Sequence, residues 1–565
     1  MRDLIILCLL SATLLTACGE QDTYDILITN ATVYDGSGRE PFSGEIGINA
    51  DTIAYIGEPG GGSGEKVIDA QGNIVAPGFI NMLSWATISL IEDGRSMGDI
   101  KQGVTLEVFG EGWSMGPLTE KMKKQQKKEQ GDIQFDIEWT TLGEYLQYLE
   151  DKGIATNVAS FVGATTLRIH TVGFEDRKPT AIELDSMKLL VRQAMEEGAL
   201  GIGSSLIYAP AFYSDTEELI ALSKEAAAYD GMYISHIRSE GEKLLESIDE
   251  LIQIAHEAGI PAEIYHLKQG GKSNWNKLDA VIEKIDSARN AGLEVAANMY
   301  NYTAGATGLD ASMPPWVQEG GYEAWAERLK DPEIRKKVKA EMETKATDWE
   351  NLYHAAGSAD KLLLVGFKND SLKHLTGKTL AEVAEMRGMS PEETAMDLVI
   401  EDGSRVGTVY FLMNEDNVKR QIQLPYMTFG SDAGSMAPEG VFLKSSTHPR
   451  AYGNFARLLG KYVRDEQVIP MEEAIYKLTA LPASKLNISR RGVLKPGYYA
   501  DVVVFDPEKI TDKATFEDPH QLAEGMIHVF VNGTQVLDNG SHTGKTPGRF
   551  VKGPGYRRNL EKSAL

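Results

Sequence analysis

Strand-like runs begin near Gly201, Met232, Ala262 and Leu293, at intervals of 31, 30 and 31 residues, and this rhythm governs what the chain can fold into. Amphipathic segments fill the gaps, among them 216–230 and 276–291. Strand and helix alternating at this period build a parallel sheet, because each helix carries the chain back to start the next strand at the same end. A chain of 565 residues has room for eight such units, and eight close into a (β/α)8 TIM-like barrel of the α/β class. Catalytic groups then belong at the C-terminal ends of the strands. The helix ahead of Gly201 opens on the capping-box pattern Thr180-x-x-Glu183 and stops at Gly198.

The two ends of the chain read differently. Residues 24–35 alternate β-formers up to an Asp35-Gly36 turn, and short strands follow at 45–49 and 52–56. The run Gly60-Gly61-Gly62-Ser63-Gly64 lacks the Lys-Ser/Thr and helix of a phosphate loop, so it reads as a hairpin loop. Strand character returns at 492–497, 500–505 and 528–533. The expectation is a small β-sandwich domain built from 24–76 and 490–548, around a barrel at 77–489, with 549–565 as a tail. From about 310 to 424 the pattern turns helical and charged, starting at Met313-Pro314-Pro315-Trp316, as an insertion or lid would. Strand character resumes at 408–412 and 427–430.

Arg2 precedes an apolar run, 4–15, that is too short to span a bilayer. It ends in Leu15-Thr16-Ala17-Cys18, which resembles a bacterial lipoprotein signal, so 1–17 is expected to be cleaved, Cys18 lipidated and 18–23 a tether. The implied location is the cell envelope, anchored to a membrane by lipid, and Glu20 after Gly19 gives no signal for inner-membrane retention. Both cysteines, Cys8 and Cys18, lie in this leader, so a mature chain has neither a disulfide nor a catalytic thiolate. A net charge of −25 argues against nucleic acid as a partner.

Of ten histidines, only His236 and His266 stand directly after a strand of the repeating core. They hold equivalent places in successive units, so their rings point into one mouth, and imidazole there suits zinc. Asp432, in Gly430-Ser431-Asp432, follows a later strand, where a carboxylate can move a proton between water and a leaving amine. A third ligand is Glu111, held between Gly110 and Gly112 at a strand end, in preference to Glu107, which lies deeper. Lys268 and Arg450 are cations suited to a substrate carboxylate, and Tyr208 and Tyr300 can line the pocket.

These segments together resemble the N-acyl-D-amino-acid deacylases (D-aminoacylases) of the amidohydrolase superfamily. The likeness is carried by Ala76-Pro77-Gly78-Phe79-Ile80, Gly198-Ala199-Leu200-Gly201 with Tyr208-Ala209-Pro210, and Ser235-His236-x-Arg238-x-Glu240-Gly241. It continues in His266-x-Lys268 with Asn274-Trp275, Gly430-Ser431-Asp432, His448-Pro449-Arg450 and the run from Ala514 to His520. The resemblance implies a barrel with a small β domain and zinc-dependent amide hydrolysis. His236 and His266 would bind metal, Asp432 would act as general acid/base, Lys268, Arg450 and Tyr208 would hold the substrate carboxylate, and Tyr300 would lie near the scissile carbonyl.

The departures are specific. Leu83-Ser84-Trp85 stands where the family has His-x-His, Glu111 lies beside the place of a cysteine ligand, and Ala306 replaces a substrate-binding serine. The second metal position is therefore expected to be lost, leaving one Zn2+ on Glu111, His236 and His266, a three-ligand geometry normal for catalytic zinc. The expected partner is a small N-acylated amino acid. A dihydroorotase-, hydantoinase- or dipeptidase-like activity, or an inactive ligand-binding lipoprotein, stays open at this point.

Overall fold

The computed structural model describes residues 22–556. Strands Phe79–Asn81, Val104–Phe109 and Asn157–Ser160 pair in parallel in that order. Val162–Gly163, Gly201–Ser205, Met232–His236, Ala262–Ile264, Val295–Met299 and Met427–Phe429 continue the series, again parallel. The first seam is bridged where Phe161 N–H donates to the Phe109 carbonyl at 2.9 Å and Leu200 N–H to that of Ser160 at 3.0 Å. The second is bridged where Met82 N–H donates to the Phe429 carbonyl at 3.0 Å and Ser84 pairs with Ala433. With 157–163 counted as one strand, these runs give a closed eight-stranded barrel, which leaves no edge unpaired.

The helices form for local reasons the sequence already contains. Ala181–Glu197 starts in the Thr180/Glu183 capping box and buries Met187, Val191, Ala194 and Met195 against the strands. Thr216–Ala227 is capped by Asp215, whose side chain accepts from Glu218 N–H, and Leu278–Asn290 fills the next gap. Both run slightly inside their expected limits.

Strands from both chain ends share one nine-stranded sheet. Val502–Phe505 pairs antiparallel with Ile74–Pro77, the segment that feeds the first barrel strand, so the sheet is tied to the barrel. Its own apolar cluster includes Ile28, Val33, Ile46, Val502 and Phe530. The C-terminal segment lies along the barrel, with Val551 N–H donating to the Val158 carbonyl at 2.8 Å.

The insertion departs from its expected limits. It opens earlier, on strand Ala304–Gly308, which pairs with Gly407–Phe411, itself paired with Leu362–Gly366. The strand signal at 408–412 therefore belongs to this three-stranded antiparallel sheet and not to the barrel. Leu309, Trp325, Leu362, Val399 and Tyr410 give the insertion a separate apolar core. A mostly helical reading missed it because its strands are short and pair across about a hundred residues of chain. Among the described residues no helix is long and apolar enough to cross a membrane. The expected lipidation site, Cys18, lies outside the described residues.

Candidate active site

Each candidate group stands at or just past the C-terminal end of a barrel strand. His236 ends Met232–His236, and His266 follows Ala262–Ile264. Glu111 follows Val104–Phe109, and Asp432 follows Met427–Phe429. Glu111 is aimed by its neighbours. Gly110 (φ +109°) and Gly112 (φ +71°) take left-handed conformations, and a Cβ on Gly112 would meet Ser205 Oγ at 2.0 Å. Only glycine permits that turn at that spacing. His266 (φ +34°) and Asp432 (φ +49°) are not glycine and still adopt positive φ. Each is pinned, His266 N–H on Asn298 Oδ1 and Asp432 N–H on the Leu83 carbonyl, both at 2.8 Å. Strain of this kind persists where the surroundings over-determine it, and it clusters at functional sites.

Glu111 Oε1 lies 3.0 Å from His236 Nδ1 and 2.6 Å from His266 Nε2, all three residues being buried. Ligand atoms of the three lie within 4.8 Å of one another. One carboxylate oxygen and two imidazole nitrogens form a donor set that zinc accepts. Glu240 stands behind them, its Oε1 3.0 Å from His266 Nδ1 and its Oε2 3.7 Å from His236 Nε2. Glu240 Oε1 and Lys268 Nζ, the latter at 2.8 Å, both stand at His266 Nδ1, so that nitrogen is held from behind while Nε2 faces Glu111. His236 Nε2 is buried without a hydrogen-bond partner.

The electrostatics fit a place for positive charge. Burial opposes ionisation of Glu111, but His266 and His236 together hold its carboxyl well below the usual range. Burial and Lys268 push His266 down, yet Glu111 and Glu240 raise it to about 9. A proton on His266 thus balances carboxylates that a divalent cation would balance instead. Asp432 is pushed up by burial, against the pull of Arg450.

The other expected residues fall around this centre. Arg450 Nη1 lies 2.9 Å from Asp432 Oδ2, and its guanidinium stacks 4.3 Å from the Tyr300 ring centre. His448 Nδ1 accepts the Arg450 N–H at 3.0 Å, which leaves Nε2–H to donate to the Ala304 carbonyl at 2.9 Å and fixes that turn. Tyr208 sets its ring edgewise at 5.3 Å from His236 and donates its hydroxyl to Thr307 of the insertion. Lys268 Nζ is 2.5 Å from Glu240 Oε1 and 2.8 Å from His266 Nδ1, so two of its three N–H donors face protein groups.

Glu107, the other carboxylate considered, is turned away from the histidines. It accepts hydroxyls from Ser84 and Ser96 at 2.7 Å and Thr156 at 2.8 Å. Two contacts escaped sequence reasoning. Glu240 carried a signal, standing four residues after His236 in a quoted motif, but no role was drawn from it. Trp85, expected as a lost ligand and a wall of the pocket, donates its indole N–H toward both Glu111 and Asp432.

Comparison with known proteins agrees with this geometry. The profile of the amidohydrolase family matches residues 66–537. D-aminoacylase of Alcaligenes xylosoxydans xylosoxydans is 30% identical over 540 residues, spanning 94% of this chain and 98% of its own. An N-acyl-D-glutamate deacylase structure from Bordetella bronchiseptica, complexed with zinc and a phosphonate mimic of the tetrahedral intermediate, superposes with a TM-score of 0.76 at 29% identity. It is covered over its whole length by 94% of this chain. A D-aminoacylase structure described by its binuclear metal centre, with one-metal activation and second-metal attenuation, gives 0.77 at 29% identity over the same shares. With the barrel, the converging ligands and these full-length likenesses, the chain belongs to the amidohydrolase family, in its D-aminoacylase branch, and is a hydrolase of carbon–nitrogen bonds other than peptide bonds.

Proposed function

We propose that the protein deacylates N-acyl-D-amino acids with a single zinc ion held by Glu111, His236 and His266. The observation that carries this reading is the convergence of one carboxylate and two imidazoles on one point, with Asp432 tethered beside it. Zinc, when bound, lowers the pKa of its water and polarises the amide carbonyl. Asp432, held by Trp85 on one oxygen and Arg450 on the other, takes the proton from water and returns it to the leaving amine nitrogen. Its raised pKa suits a group that must both accept and give a proton.

Arg450 and Tyr208 recognise the substrate carboxylate, and Lys268 adds the N–H donor that Glu240 and His266 leave to it. Tyr300, packed between Arg450 and Lys268, presents its hydroxyl near the scissile carbonyl. The relatives that act on N-acyl-D-glutamate and N-acyl-D-aspartate support an N-acylated amino acid as substrate. Cys18 anchors the chain to the envelope membrane in this reading, on the strength of its signal-like context alone. Cys18→Ser is expected to move the protein from the membrane to the soluble fraction.

A panel of N-acetyl-D- and N-acetyl-L-amino acids tests the activity. The D series is expected to be hydrolysed, with activity lost to a chelator and restored by zinc. Equal inertness of both series toward the zinc-loaded protein would overturn the reading.

A further inference from the structure

Glu111 divides its two oxygens. Oε1 faces both imidazoles, whereas Oε2 accepts the Trp85 indole N–H at 3.0 Å. The same N–H lies 3.2 Å from Asp432 Oδ1. Two carboxylate oxygens from different strand ends thus converge on one N–H, as they would on a cation. A neutral donor stands there instead. An indole N–H offers no lone pair to a metal, carries no charge, and gives up no proton under ordinary conditions.

The backbone keeps it in place. Trp85 N–H donates to the Ala433 carbonyl at 2.9 Å, and Leu83, two residues earlier, takes the Asp432 N–H on its carbonyl. The Leu83 side chain packs with Met82, Val108 and Phe161, so it adds no donor. Trp85 is 38% exposed, while its N–H is turned to the two carboxylates. Loss of the ring would therefore disturb the barrel core little.

We infer that Trp85 is a positioning residue that limits the site to one divalent cation and holds Glu111 and Asp432 in a fixed relative orientation. This rests on the one-zinc reading given above. The N–H shared by the two acids screens their mutual repulsion, as a second cation would.

The test compares wild type, Trp85→Phe and a Leu83→His/Trp85→His double variant, each verified as folded by circular dichroism and thermal melting. Zinc per chain is measured after equilibration with excess zinc and gel filtration, together with kcat and KM on an N-acetyl-D-amino acid. Wild type and Trp85→Phe are expected to hold about one zinc. Trp85→Phe, which keeps a ring but loses the donor, is expected to lower kcat by roughly 10–100-fold, the usual cost of an outer partner, with little change in KM. Its cobalt-substituted form should show altered visible absorption, because Glu111 is released on one side. The double variant should take up a second zinc. Trp85→Phe equal to wild type in kcat and cobalt spectrum, or a double variant that stops at one zinc, would overturn the inference while leaving the one-zinc reading intact. A wild type that binds no zinc, or two, would instead strike the reading on which it rests.

Discussion

Glu107 and Glu111 stand four residues apart at the end of one barrel strand, both buried, and they live in opposite chemical worlds. Glu107 is surrounded by the hydroxyls of Ser84, Ser96 and Thr156, and burial raises its pKa despite them. The neighbouring buried acid Asp99 is raised further by burial and by Glu107. Glu111 is surrounded by His236, His266 and Trp85, and the imidazoles pull its pKa down. Hydroxyls satisfy a carboxylate without adding charge, whereas imidazoles can exchange their protons for a metal. The same side chain is thus a structural strut in one place and a candidate ligand a single turn of chain away.

Removing each acid should separate the two roles. Glu111→Gln is expected to lose tightly bound zinc and to cost several kcal/mol of transition-state stabilisation, on the order of a thousandfold in kcat/KM, with the fold retained. Steady-state kinetics beside metal analysis check this. Glu107→Ala should do the reverse. It orphans three buried hydroxyls and leaves a cavity, so unfolding in urea should show a loss of about 2–4 kcal/mol while zinc per folded chain is unchanged.

Glu240→Gln sharpens the contrast from the outside. It removes the carboxylate behind His266 and should weaken zinc binding roughly 10–100-fold, read by competition with a chelator of known affinity. The smallest effect is on pH dependence in the metal-free protein. Glu107 holds its proton more tightly folded than unfolded, so its contribution is full below its ordinary value of 4.5 and is lost as pH rises through the raised folded value. Glu107→Gln should flatten that part of the stability profile. Glu111 has the opposite sign: its contribution is present above 4.5 and is lost as pH falls through the lowered folded value, which Glu111→Gln should remove. Thermal melts across pH 3–7 or so read both slopes.

The period of strand and helix made the barrel legible in sequence, because each β/α unit is a local structure with its own caps and turns. The placement of His236 and His266 at one end of the barrel was legible for the same reason, as equivalent positions in successive units. The choice between Glu107 and Glu111 was harder. Residues four apart in a strand share a face, so alternation alone cannot separate them, and only the turn at Gly110 does. Trp85 acts through contacts across 347 residues of chain to Asp432 and 26 to Glu111, and Glu240 across 26 to His266. No spacing rule reaches such pairs. The early start of the insertion was hidden likewise, since Ala304–Gly308 becomes a strand only when Gly407–Phe411 returns to meet it.

The most direct test is anomalous diffraction at the zinc edge from crystals of the zinc-loaded protein. One peak is expected, bonded to Glu111, His236 and His266 at roughly 2.0–2.2 Å. A peak at Glu107 and Asp99, or none among the three expected ligands, would contradict the account.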